Sequence, residues 1–148
     1  MTPDDDPATA AAILRVASQL VDGIQQGLAE RGFRDVRPAH GFAFARISGS
    51  PATTSELAVH LGVSKQAAGQ LVDHLVGRGY LRREADPSDG RARLLLLTEL
   101  GWACTRAADE AAADVVGRWR AELPDGHFQV MREALAQIAQ PGRLRPTW

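Results

Sequence analysis

Between positions 64 and 70 the chain gathers side chains suited to reading an ordered polar surface: Ser64, Lys65, Gln66, Ala67 and Gln70. A glutamine amide sets a donor beside an acceptor, the pattern that pairs with an adenine edge, and an alanine methyl can touch that of thymine. Ser64 and Lys65 suit phosphate oxygens, the serine through its place at a helix start and the lysine through its charge. Further along come Arg82, Arg83, Asp89, Arg91 and Arg93. An arginine on a protruding tip can enter a narrow minor groove, which is the role expected of Arg91, with Arg93 beside it and Asp89 supporting the tip. Arg82 and Arg83 alternate in direction along a strand, so one of them, Arg83, is expected to face the same surface.

Other chemistries find little support. His40, His60, His74 and His127 show no zinc-type spacing with a carboxylate or thiol partner, so no metal is expected. The single cysteine, Cys104, sits among apolar neighbours and reads as a buried, unreactive thiol. No nucleophile elbow, phosphate loop or paired acid and base is present, and neither an enzymatic activity nor a cofactor is expected.

The elements that must carry the polar cluster are legible from caps and periodicity. Thr53 and Glu56 form a capping box at the start of a short helix whose apolar stripe is Leu57, Ala58 and Leu61. Gly62 permits the left-handed turn that ends it, and Ser64 caps the next helix, which runs to about Arg78. That second helix buries Ala68, Leu71, Val72, Leu75 and Val76, and shows Lys65, Gln66, Ala67, Gln70, Asp73 and His74 on its other face. A short strand over residues 80–84, a turn at Asp86-Pro87-Ser88-Asp89-Gly90, and a leucine-rich strand over 91–97 complete a winged helix-turn-helix. Such a unit can lay the start of its second helix in the DNA major groove.

Several of these residues carry a resemblance. Leu57-Ala58 with Leu61-Gly62-Val63-Ser64, then Gly79-Tyr80-Leu81, then Asp86-Pro87-Ser88-Asp89-Gly90-Arg91, then Leu97-Thr98-Glu99-Leu100-Gly101 resemble the MarR family of transcription regulators. The similarity is continuous over about residues 38–101. The family's wing signature, Asp-x-Arg, is matched by Asp89 and Arg91; many members carry a second arginine between them, where this chain has Gly90. Some members sense peroxide through a cysteine near the N-terminal helix, a position Cys104 does not share.

Composition frames the rest. At 148 residues the chain is the size of one domain or compact subunit. Its net charge is −1, yet the stretch 64–97 holds six basic residues against four acidic ones, and the lone lysine, Lys65, heads the proposed recognition helix. That excess supports nucleic-acid binding only weakly beside an ordinary solvated surface; the motif carries the reading. There is no apolar run of membrane-spanning length, the acidic start lacks a signal-type segment, and one cysteine fits a reducing compartment, so a cytoplasmic protein is expected.

Helical patterns flank the winged segment: residues 8–31 with Ile13, Val16, Leu20, Ile24 and Leu28 on one face, a helix from Pro38 to Ser48, a long helix capped by Thr98, and a last one carrying Phe128, Met131, Leu135 and Ile138. The expected organisation is a disordered acidic tail over residues 1–7 and one subunit over 8–148, mainly α with a small β-hairpin wing. Its winged helix-turn-helix, at about 38–101, is embedded between dimerisation helices at about 8–31 and 98–140. The resemblance likewise implies a homodimer, whose paired reading heads suit a pseudo-palindromic site on double-stranded DNA. It also implies a small-molecule effector, typically an aromatic or phenolic anion, held between the dimerisation helices and the winged module. Arg37, His40, Phe44 and Trp102 are the candidate lining, with Arg37 and His40 as partners for the anion. The function implied is a sequence-specific repressor released by that ligand. The alternative is a winged module that binds proteins rather than DNA, against which the presence of Lys65, Gln70 and Arg91 argues.

Overall fold

Helices α1 (Asp6–Glu30) and α2 (Pro38–Gly49) precede α3 (Thr54–Leu61) and α4 (Lys65–Gly77); strands β1 (Leu81–Asp86) and β2 (Asp89–Leu97) pair antiparallel, and α5 (Glu99–Glu122) and α6 (His127–Ile138) follow. The structure, a computed structural model, describes residues 5–140. The expected tail therefore lies outside the described residues up to position 4. Residues 6 and 7 are already helical, because a proline in the first turn of α1 forfeits no helical hydrogen bond.

Local chemistry sets the reading head's boundaries. The Thr53 hydroxyl accepts from the Glu56 N–H at 3.2 Å while the Glu56 carboxylate accepts from the Thr53 N–H at 2.8 Å. Gly62 turns the chain with φ +69°, a conformation that would strain a side-chain-bearing residue. Ser64 then accepts from the Ala67 N–H at 3.1 Å and starts α4.

The core joins every layer. Leu57, Leu61, Val72 and Leu75 of the helix-turn-helix pack with Phe44 and Ile47 of α2, Leu81, Leu95 and Leu97 at the hairpin root, and Leu28 and Cys104 from α1 and α5. The Leu95 N–H donates to the Ala52 carbonyl at 2.8 Å, so the wing's inner end is stitched to the chain entering α3. The C-terminal half of α1 lies close along α5: a Cβ at Gly23 or Gly27 would stand 2.5 Å from Val115 Cγ2 or Ala111 Cβ. The N-terminal half of α1 and all of α6 behave differently. Ile13, Leu14, Val130, Leu135 and Ile138 are each more than half exposed, and α6 buries none of its residues.

Candidate nucleic-acid interface

The expected recognition face is open. Ser64, Lys65, Gln66, Ala67 and Gln70 are all exposed on the first two turns of α4, while Ala68, Val72 and Leu75 on the opposite side are buried. The same residues thus anchor the helix and aim its polar side outward.

The wing is built to project. Register runs Leu81↔Leu97 through Ala85↔Arg93 and then shifts to Asp86↔Asp89. Gly90, Arg91 and Ala92 therefore have no counterparts on β1, and β2 bulges at the arginine. The tip is held by its own carboxylates. Asp86 Oδ1 accepts from the Ser88 N–H and hydroxyl at 2.9 and 2.8 Å, bonds that hold its carboxyl below the usual range. Asp89 Oδ1 accepts from the Arg91 N–H at 3.1 Å, so the aspartate of the wing signature fixes the backbone from which the arginine extends.

Ion pairing sorts the basic residues of this region into two groups. Arg78 pairs with Asp35, Arg82 with Glu84, and Arg83 with Asp73. Lys65, Arg91 and Arg93 make no ion pair among the described residues. The expectation that Arg83 is free to contact a ligand meets a competing partner here. Asp73 stands two turns beyond Gln66 on the exposed face of α4, close enough to hold the guanidinium. The pair also ties β1 beside that face.

Sequence reading missed the group that fastens the reading head to the rest of the subunit. Asp35, in the α1–α2 connection, accepts from Arg78 Nε and Nη2 at 2.9 and 2.8 Å through one oxygen, and from the Tyr80 hydroxyl at 2.8 Å through the other. The Tyr80 bond, seconded by Arg78, keeps the Asp35 carboxyl ionised to lower pH than usual, and burial beside that carboxylate pushes the Tyr80 hydroxyl pKa up. Local patterning carries no sign of this, because Asp35 and Arg78 lie 43 positions apart.

The four residues expected to line a ligand pocket are not gathered around one cavity. A cavity of about 300 Å³ lies among α1, α2 and α5, and of the four proposed residues only Phe44 lines it. Arg37 is an exposed residue at the start of α2, and Trp102 is 42% exposed on the first turn of α5. His40 is buried, but its Nδ1 accepts from the Arg37 N–H at 3.0 Å and its ring stacks on His74 with centroids 5.2 Å apart. Desolvation, then the charges of His74 and Arg37, lower its pKa, so its ring is a neutral cap for α2. Cys104 is buried at the cavity wall, and desolvation pushes its thiol up to about 11. No group of three or more histidine, cysteine or acidic residues among the described ones could hold a metal, and no described helix is long and apolar enough to cross a membrane.

Two antiparallel strands following a capped helix-turn-helix, with long helices on either side, define a winged helix-turn-helix protein. Residues 34–92, the winged module, match the model of the MarR family. Among solved structures, the RV1404 protein of Mycobacterium tuberculosis superposes with a TM-score of 0.80 at 22% identity, spanning 93% of this chain and 94% of that one. A mutant MarR from E. coli, complexed with operator DNA, gives 0.69 at 20% identity over 95% of this chain and all of the other (100%). The M. tuberculosis MarR family protein RV2887, complexed with salicylic acid, gives 0.66 at 24% identity over 86% and 93%. At these identities the likeness is one of fold. No curated protein matches the chain by sequence.

Proposed function

We propose that the chain is a sequence-specific, DNA-binding transcription regulator that acts as a homodimer, a repressor released by a small aromatic molecule. The observation that carries this reading is the division among its basic residues. Those on the inner wing and at the end of α4 are matched to carboxylates, whereas Lys65, Arg91 and Arg93 stand exposed and unpaired on the two parts that a winged helix presents to major and minor grooves. Ser64, Gln66, Ala67 and Gln70 supply the remaining contacts, Gln66 and Gln70 to base edges and Ser64 to phosphate. Arg83, held by Asp73, reaches DNA only by exchanging that carboxylate for a phosphate.

The bare apolar faces of α1 and α6 support dimerisation. Ile13, Leu14, Val130, Leu135 and Ile138 would be costly to leave in water, and a second copy covers them symmetrically. The winged module at about 38–101 is then the reading head, and the helices at about 8–31 and 98–140 are the dimer body. The structural neighbour solved with operator DNA supports the partner, and the one solved with salicylic acid supports a ligand-responsive cavity.

A salt titration on the DNA flanking the chain's own gene tests the reading. A regulator gives a steep decline of affinity with salt and a preference for one palindrome, whereas flat or absent binding would point to a protein-interaction module. In the same assay Arg91→Ala is expected to weaken binding about tenfold with the dimer intact, and Arg82→Ala to change it by less than about twofold. Equal losses from the two would refute the division between paired and unpaired arginines.

A further inference from the structure

The cavity among α1, α2 and α5 has a chemical bias that its apolar walls alone do not reveal. Leu28, Val36, Phe42, Phe44 and Ala108 are among its apolar lining, and its volume of about 300 Å³ suits a molecule of one or two rings. Four polar side chains also line it: Gln25, Ser48, Thr105 and Asp109. Three of them already spend donors on the backbone. Ser48 Oγ donates to the Ala45 carbonyl at 3.0 Å, Thr105 Oγ1 to the Gly101 carbonyl at 2.9 Å, and Gln25 Nε2 to the Val36 carbonyl at 2.9 Å. A hydroxyl has one hydrogen, so Ser48 and Thr105 retain only lone pairs. Gln25 keeps its amide oxygen and one N–H, and Asp109 is a carboxylate at the exposed edge.

Among the described residues, no arginine, lysine or histidine lines it. Arg31, on the same pair of helices, is bound to Glu110 and Asp114 at 3.3 and 2.9 Å. An anion entering this cavity would shed water, find no cation among the described lining residues and meet Asp109. A neutral hydroxyl or amide would find acceptors waiting, and a cation would find a counter-charge.

From this arrangement we infer that the cavity selects neutral or cationic aromatic molecules bearing hydrogen-bond donors and discriminates against aromatic carboxylates. The inference rests on reading the cavity as the effector site of the proposed regulator and specifies the charge class of that effector.

Calorimetric titration of the full chain near neutral pH, without DNA, tests it with three probes of one shape: salicylate, salicylamide and 2-hydroxybenzylamine. The amide and the amine are expected to bind about tenfold more tightly than salicylate. Asp109→Asn, an exposed change, should weaken the amine about fivefold and leave the amide within about twofold. Ala108→Leu, which fills the cavity, should abolish binding of all three while the helical circular-dichroism signal is retained. Salicylate binding as tightly as the amide would overturn the proposal, as would failure of all three probes or an Asp109→Asn variant that treats the amine as before. Because no DNA is present, failure here is distinct from failure of the regulator reading, which the salt titration measures.

Discussion

The winged module and the flanking helices solve burial in opposite ways. In the module every apolar stripe meets another within the same chain: Leu57, Val72, Leu75 and Leu95 are completely buried. On α1 the stripe divides, with Leu28 buried and Ile13 59% exposed, and α6 leaves Ile138 74% exposed. Amphipathic periodicity shows that a face will be buried and does not name what buries it. In the module the partner lies within the same chain; on the flanks no described residue covers these side chains.

This contrast can be broken most forcefully by cutting one apolar residue from each side. Leu75→Ala in the module should cost about 2–5 kcal/mol of unfolding free energy, independent of protein concentration, because it opens a cavity in a closed core. Ile13→Ser should leave the subunit folded yet shift sedimentation toward monomer at low concentration. Equal, concentration-independent losses from both would remove the case for an intermolecular face. A smaller effect probes the joint between the regions. Asp35→Ala strands the Tyr80 hydroxyl and frees Arg78, and is expected to cost about 1–3 kcal/mol in denaturant unfolding; Asp35→Asn, which keeps an acceptor, should recover part of it.

The smallest effect is a pH dependence centred on His40. Its folded pKa lies below the ordinary 6.5, so the unfolded chain takes up the proton more readily. Stability is therefore full above that value and declines as the pH falls through it toward the folded pKa. Melting temperature should drop as the pH falls below the ordinary histidine value of 6.5, and His40→Asn, which preserves an acceptor for the Arg37 N–H, should flatten the decline. An unchanged slope would place the titration elsewhere.

The reading head was largely legible before the structure, for a physical reason. Thr53 with Glu56, Ser64 with Ala67, Asp89 with Arg91 and the turn at Gly62 are interactions between residues two to four positions apart or backbone preferences of a single residue. The hairpin strands begin one or two residues away from their expected positions, because the turn closes on Pro87 and Ser88 alone and the extra length of β2 enters as a bulge. Of the four expected pocket residues, the structure brings only Phe44 to the α1–α2–α5 cavity. Arg37 and His40 look like an anion's partners in sequence, but His40 turns its acceptor nitrogen to the start of its own helix and its ring to His74.

By itself the sequence determined the secondary elements, the winged order and the polar face of α4, since caps, turns and periodicity act within a few residues along the chain. Only the tertiary structure decided which arginines are spoken for, what anchors the reading head, and the charge of the α1–α2–α5 cavity. Those outcomes depend on Asp73 meeting Arg83, on Asp35 meeting Arg78 and Tyr80, and on which donors Ser48, Thr105 and Gln25 have already given away. Electrostatic pairing is set by proximity in space, and proximity across tens of residues is a product of packing that no local pattern encodes.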